Sequence, residues 1–146
     1  MTSSLKIDHK ALVQAALDEV KTLSIAEAQA LQGRNGVTFV DLRDPRELER
    51  EGRIPGAVHA PRGMIEFWID PTSPYFKPVF GSGDTFVFYC QSGWRSALAT
   101  QTVQRMGLPD VCHFEGGYRA WKDAGGATEP VPPKAAQRNP ARGAQG

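Results

Sequence analysis

The sequence predicts an α/β domain: a mainly parallel five-stranded sheet flanked by helices on both faces. Three observations carry that prediction. Short apolar runs alternate along the chain with segments of helical signature. The run Val37 to Leu42 is apolar almost throughout, as a strand covered on both faces must be. Two helix starts are written into the chain, by Ser24 with Glu27 three residues on and by Asp44 before Pro45.

Each element follows in order. Leu12, Val13, Ala16, Leu17 and Val20 recur at helical spacing, so His9 to Val20 reads as an amphipathic helix with its apolar face packed on the domain. Val20 to Leu23 is a short first strand, and the Ser24/Glu27 box opens a helix through Gln32. Gly33 to Gly36 turns the chain into the second strand, Val37 to Leu42. Asp44-Pro45 caps a short helix through Arg50, Gly56 to Ala60 is a small-residue third strand, and aromatic, β-branched Thr85 to Tyr89 is the fourth. A helix over Ala97 to Val103 and a fifth strand, Val111 to Phe114, complete the alternation. Ligands of such sheets bind beyond the strands' carboxyl ends, where Asp41-Leu42-Arg43, Pro61-Arg62 and the loop after Tyr89 all fall.

Two stretches break the pattern. The aromatic, proline-rich segment 66–80 reads as a flap over the sheet's flank, or else as a wall of the site's mouth. Residues 128–146 hold prolines and few large apolar side chains, so the domain is expected over 1–127 with a disordered tail after it. A chain of 146 residues suffices for one core, and a net charge of +1 gives no strong attraction to nucleic acid or to an anionic membrane. The amino terminus lacks a secretory core, no run reaches membrane-spanning length, and two cysteines without Cys-x-x-Cys spacing suit a reducing compartment. The expected location is cytoplasmic.

The chemistry concentrates in Tyr89-Cys90-Gln91-Ser92-Gly93-Trp94-Arg95-Ser96. Cys90 stands between a strand's carboxyl end and a helix start, where loop amides, the helix dipole and Arg95 all favour a thiolate over a thiol. Gly93 lets the loop turn inward, Trp94 is expected at its exposed rim, and Ser96 to cap the helix that follows. An inert core cysteine would not need this glycine or this Arg-Ser helix start. Cys112-His113, on the fifth strand with no further ligand nearby, reads as a packed core pair rather than a metal site. Gly81-Ser82-Gly83-Asp84 precedes a strand and lacks a lysine, so it is a turn and not a phosphate loop. His59 reads as structural.

The Cys-x-x-Gly-x-Arg-Ser loop resembles the active-site loop of the rhodanese family, sulfurtransferases that carry sulfur as a cysteine persulfide. Val40-Asp41-Leu42-Arg43-Asp44-Pro45-Arg46-Glu47 is similar to that family's second-strand motif. Gly52-Arg53-Ile54-Pro55-Gly56-Ala57-Val58-His59 is similar to its Gly-His-Ile-Pro-Gly-Ala segment, with Arg53 where histidine is common. Phe114-Glu115-Gly116-Gly117-Tyr118-Arg119-Ala120-Trp121 is similar to its closing signature, so the likeness runs from about Val20 to Gly126.

The resemblance implies a thiosulfate-type sulfurtransferase with Cys90 as nucleophile, no cofactor and no metal. Gln91, Ser92, Gly93, Trp94, Arg95 and Ser96 would hold the anionic donor, with Arg43 and Arg62 guiding anions inward. Thiosulfate or a persulfide is the expected donor, cyanide or a thiol the acceptor, and a sulfur-relay protein a further partner. Two alternatives stand beside it: a non-catalytic or partner-loaded sulfur-carrier or interaction module, and a cysteine phosphatase or arsenate reductase. The loops of those last enzymes carry five residues between cysteine and arginine, whereas four separate Cys90 from Arg95.

Overall fold

The apolar runs become strands of one sheet. The computed structural model describes residues 4–133. Its strands β1 (Thr22–Leu23), β2 (Val37–Asp41), β3 (Val58–His59), β4 (Thr85–Tyr89) and β5 (Val111–Phe114) lie in the spatial order β1-β5-β4-β2-β3. Every pairing is parallel, as the alternation predicted. The helices are α1 (His9–Glu19), α2 (Ile25–Leu31), α3 (Pro45–Glu51), α4 (Ile65–Ile69), α5 (Trp94–Arg105) and α6 (Gly117–Asp123). Both capping boxes form: Ser24 Oγ accepts from the Glu27 amide, and the Glu47 carboxylate reaches back to the Asp44 amide at 2.8 Å.

Strand alternation divides the core between the two faces of the sheet. Phe39, Val87, Tyr89, Cys112 and Phe114 face Ala28 of α2 with Tyr118 and Trp121 of α6. Val40, Phe86, Phe88 and Val111 face Ile65 and Ile69 of α4 with Ala99 and Val103 of α5. The segment 66–80 belongs to this second layer: Phe80 is buried, and Trp68, Phe76 and Val79 pack against the same cluster. The flap reading is therefore the one the structure supports. α1 packs on α5 through Val13 and Ala16 against Ala97, while Leu12 turns to solvent, so its apolar face is narrower than its spacing suggested.

The ordered chain runs past residue 127. Arg53 and Glu129 exchange both backbone hydrogen bonds, at 2.9 and 2.8 Å, and their side chains pair at 2.8 Å. The Trp121 indole N–H donates to the Ala127 carbonyl at 2.8 Å. The expected tail thus begins with residues tied to the domain, and Arg53, unusual at its position, has a carboxylate partner there. The rest of the tail, 134–146, lies outside the described residues.

Candidate active site

Backbone register brings three segments to one edge of the sheet. Asp41 is level with Tyr89, the Leu42 amide donates to the Tyr89 carbonyl, and the Ala60 and Arg62 amides donate to the Asp41 and Leu42 carbonyls. Cys90 therefore leaves the carboxyl end of β4, the central strand, with Leu42-Arg43 and Pro61-Arg62 beside it. It is 1% exposed.

Three residues, Gln91 to Gly93, turn the chain from Cys90 into α5. Gly93 is the N-cap of that helix with φ of +105°, a conformation open to glycine at little cost, and from there its N–H donates to Cys90 Sγ at 3.1 Å. The sulfur thus meets a backbone donor at the amino end of a 12-residue helix. The loop is anchored from below by the start of α6. There the Tyr118 amide donates to the Cys90 carbonyl at 2.8 Å and the Arg119 amide to the Gln91 carbonyl at 3.2 Å. Gly117 makes that approach feasible, since a Cβ on it would meet Cys90 O and Gln91 C and O at 2.6 Å. The Gly-Gly of the closing signature is thus a contact with the cysteine loop.

Arg95 lies within reach of Cys90, but its guanidinium is also gripped by Glu47 of α3 through two bonds of 2.9 Å. That pair raises the Arg95 pKa, with the Cys90 charge adding to it, and holds the Glu47 carboxyl below its ordinary value. The sequence reading does not single out Glu47, which stands there only as the last residue of the second-strand motif. The signal that could have found it is position: the second-strand motif ends one helical turn above the edge that carries Cys90.

Arg43 requires correction. It is wholly buried, bonded to Asp41 at 2.7 Å, to the Gly52 carbonyl at 2.7 Å and to the Gln91 side-chain oxygen at 3.2 Å, with its guanidinium 4.1 Å from the Tyr118 ring centroid. Burial works against its charge, but Asp41 overcomes this and the pKa is raised. No surface is left from which Arg43 could steer an anion; it is a strut under the loop. Gln91 is correspondingly clamped, its oxygen on Arg43 and its amide nitrogen on Glu51 at 3.2 Å. Arg62 sits on the expected edge with its charge offset by Glu66 at 3.1 Å.

Trp94 is 54% exposed at the rim, its ring centroid 5.0 Å from that of His9. Contrary to the expectation from sequence, Ser96 does not cap α5: Gly93 holds the N-cap position, and Ser96, buried in the first turn, contacts the Gly93 carbonyl at 3.2 Å. His59 bonds the Arg43 carbonyl at 2.7 Å. Cys112 and His113, adjacent on a strand, face opposite sides. Burial pushes the Cys112 thiol up to about 11, whereas His113 turns towards α5 and Ser96. Among the described residues no group of three His, Cys, Asp or Glu side chains could hold a metal ion, and no helix is long and apolar enough to cross a membrane.

The fold and site define a parallel α/β domain with a cysteine cradle at its carboxyl edge. Comparison with known proteins makes that class specific: the model of the rhodanese-like domain matches residues 24–124, and the chain belongs to that family. A solved structure from Rhodopseudomonas palustris, of a protein of unknown function described as a possible tyrosine phosphatase, is 52% identical with a TM-score of 0.84, over 88% of this chain and 99% of that one. The polysulfide-sulfur transferase homodimer of Wolinella succinogenes is 28% identical with a TM-score of 0.64, over 84% and 87%. The human thiosulfate:glutathione sulfurtransferase is 28% identical over 106 residues, 68% of this chain and 91% of that protein.

Proposed function

We propose that this protein is a sulfurtransferase that moves sulfane sulfur from thiosulfate or a persulfide donor to a thiophilic acceptor through a persulfide on Cys90. The observation that carries the reading is the cradle: Cys90 Sγ at the mouth of α5, with the Gly93 N–H on it at 3.1 Å and Arg95 within reach. The likeness to named sulfurtransferases supports it. Backbone amides of Gln91, Ser92, Gly93 and Trp94, with the Arg95 guanidinium, hold the anionic end of the donor.

The Cys90 thiolate attacks the outer sulfur of thiosulfate. A new S–S bond forms, the donor's S–S bond breaks, and its electron pair leaves with sulfite. The same cradle then holds the charge of the terminal sulfur until an acceptor, cyanide or a thiolate, attacks it. The Cys90 S–S bond breaks and its pair returns to Cys90, so no outside oxidant or reductant is consumed. Two half-reactions through one covalent form give ping-pong kinetics. Cys90 and Cys112 are both unpaired, which suits a reducing compartment such as the cytoplasm.

Intact-mass measurement tests the reading. Thiosulfate should add one reducible sulfur atom, about 32 Da, to the wild type and none to Cys90→Ser. An adduct on Cys112, or none at all, rejects it.

The likeness to the Rhodopseudomonas palustris protein favours a second reading, a cysteine phosphatase. Against it stands the four-residue spacing from Cys90 to Arg95, one short of the phosphatase loops, which gives a narrower ring. Aryl phosphates should remain unhydrolysed by the protein that turns over thiosulfate with cyanide; the reverse pattern selects the phosphatase.

A further inference from the structure

His113 is a buried imidazole that the sulfur chemistry does not use. It lies on β5, 1% exposed, with both ring nitrogens engaged: Nδ1 is 3.0 Å from Ser96 Oγ and Nε2 is 2.9 Å from Thr22 Oγ1 on β1. The directions of these bonds depend on the tautomer. With the single Ser96 hydroxyl hydrogen on the Gly93 carbonyl, Ser96 accepts at the histidine, the ring hydrogen is on Nδ1 and Nε2 accepts from the Thr22 hydroxyl. An ordered series results: Thr22 O–H to Nε2, Nδ1–H to Ser96 Oγ, Ser96 O–H to Gly93 O, and Gly93 N–H to Cys90 Sγ.

His113 and Thr22 border a cavity of about 300 Å³ between α1 and the cysteine loop, with Val13 and Leu17 also lining it. Both polar atoms of the buried ring are nonetheless engaged by side-chain hydroxyls. Gly93, at the other end, has positive φ, and its carbonyl accepts from the Ala97 amide of α5 at 3.1 Å as well as from the Ser96 hydroxyl at 3.2 Å.

We propose that His113 is a positioning residue for the cysteine loop: through Ser96 it holds Gly93 in the conformation that aims an N–H at Cys90. The proposal rests on Cys90 being the nucleophile, but not on which sulfur donor it uses. Burial lowers the His113 pKa to about 4, so the ring stays in the neutral state that this arrangement needs throughout the neutral range.

Two measurements test it without a sulfur donor, so a failure of the sulfurtransferase reading leaves them intact. Nitrogen NMR of the wild type near neutral pH should show the His113 ring protonated at Nδ1 alone; protonation at Nε2 alone overturns the proposal. The second measurement is the pH dependence of Cys90 alkylation in two variants that both replace the ring by a side-chain amide. His113→Asn places an amide donor near the Nδ1 position and can still serve Ser96, whereas His113→Gln places it near Nε2 and cannot. The midpoint should stay at the wild-type value in His113→Asn. In His113→Gln it should rise by about half a pH unit, roughly a threefold loss of thiolate below the midpoint. Equal midpoints in the two variants refute the positioning role, and if neither variant folds the wild-type tautomer decides.

Discussion

Gly117→Ala should damage the nucleophile loop from beneath, and its magnitude can be worked from the geometry. Gly117 has φ of +63°, where an alanine costs about 1 to 2 kcal/mol in any surroundings. A Cβ there also lies 2.6 Å from the carbonyl oxygens of Cys90 and Gln91, which are backbone and cannot rotate away. Relief requires the loop and α6 to part, which breaks the Tyr118-to-Cys90 and Arg119-to-Gln91 hydrogen bonds. At about 1 kcal/mol net for each, the total destabilisation is about 3 to 4 kcal/mol. Gly125→Ala is the control: φ is +76°, yet nothing lies within 4 Å of its added carbon, so only the conformational cost of about 1 to 2 kcal/mol applies. Urea denaturation of both variants isolates the difference of about 2 kcal/mol that belongs to the loop contact. Gly117→Ala should also take up sulfur from thiosulfate at least tenfold more slowly, since a loop displaced by a few tenths of an ångström no longer presents its amides to the sulfur. Equal stabilities for the two variants would refute the claim that α6 braces the nucleophile loop.

Two further predictions concern charge. Glu47→Gln should weaken donor binding at Cys90, because Arg95 loses the carboxylate that orients it; a rise in KM for thiosulfate with a smaller change in kcat is the expected result. Glu47 has its folded pKa lowered, chiefly by Arg95, so its contribution to stability is present above the unfolded value of 4.5 and disappears as pH falls through the folded value. The variant's acid unfolding profile should consequently be flatter than the wild type's below that pH. Cys112 shows the opposite sign. Its folded pKa is raised from 9.0 to about 11 by burial, so the unfolded chain loses the proton first and stability declines as pH climbs between those values. Cys112→Ala should remove part of that alkaline loss, measured by urea titration at pH 8 and pH 10, while thiosulfate still loads Cys90.

Periodicity and punctuation sufficed for the fold where local chemistry decides it. Strands β4 and β5 lie where their aromatic and β-branched runs were read, at Thr85–Tyr89 and Val111–Phe114. At the sheet margins the readings ran long. Gly56 to Ala60 and Val20 to Leu23 each shrink to two paired residues, Val58–His59 against Val40–Asp41 and Thr22–Leu23 against His113–Phe114, because an edge strand has one neighbour to pair with. Cys90 and Gly93 were legible because their roles are set by the backbone of a single loop. Arg43, Glu47 and His113 were harder, since each acts through a partner 17 or 48 residues away in the chain, or through a carbonyl that no side-chain pattern records.

The Arg43 error identifies the physical distinction. An arginine near an anion site reads from sequence as a steering charge, yet Asp41 two residues earlier was already sufficient to pair it, and the strand geometry folds that Asp-x-Arg back on itself at 2.7 Å. A buried pair of this kind gains little net stability after desolvation. What it gains is position: Arg43 spans Asp41, the Gly52 carbonyl and Gln91, linking β2, the end of α3 and the cysteine loop. The site therefore separates its charges by depth. Arg43 is spent wholly on architecture beneath the loop, Arg95 is held by Glu47 within reach of the sulfur, and the one donor bonded to Cys90 Sγ is the backbone N–H of Gly93. An amide in a short loop at the end of a central strand cannot withdraw to solvent as a long side chain can, so under the proposed function an incoming anion would meet a donor already oriented.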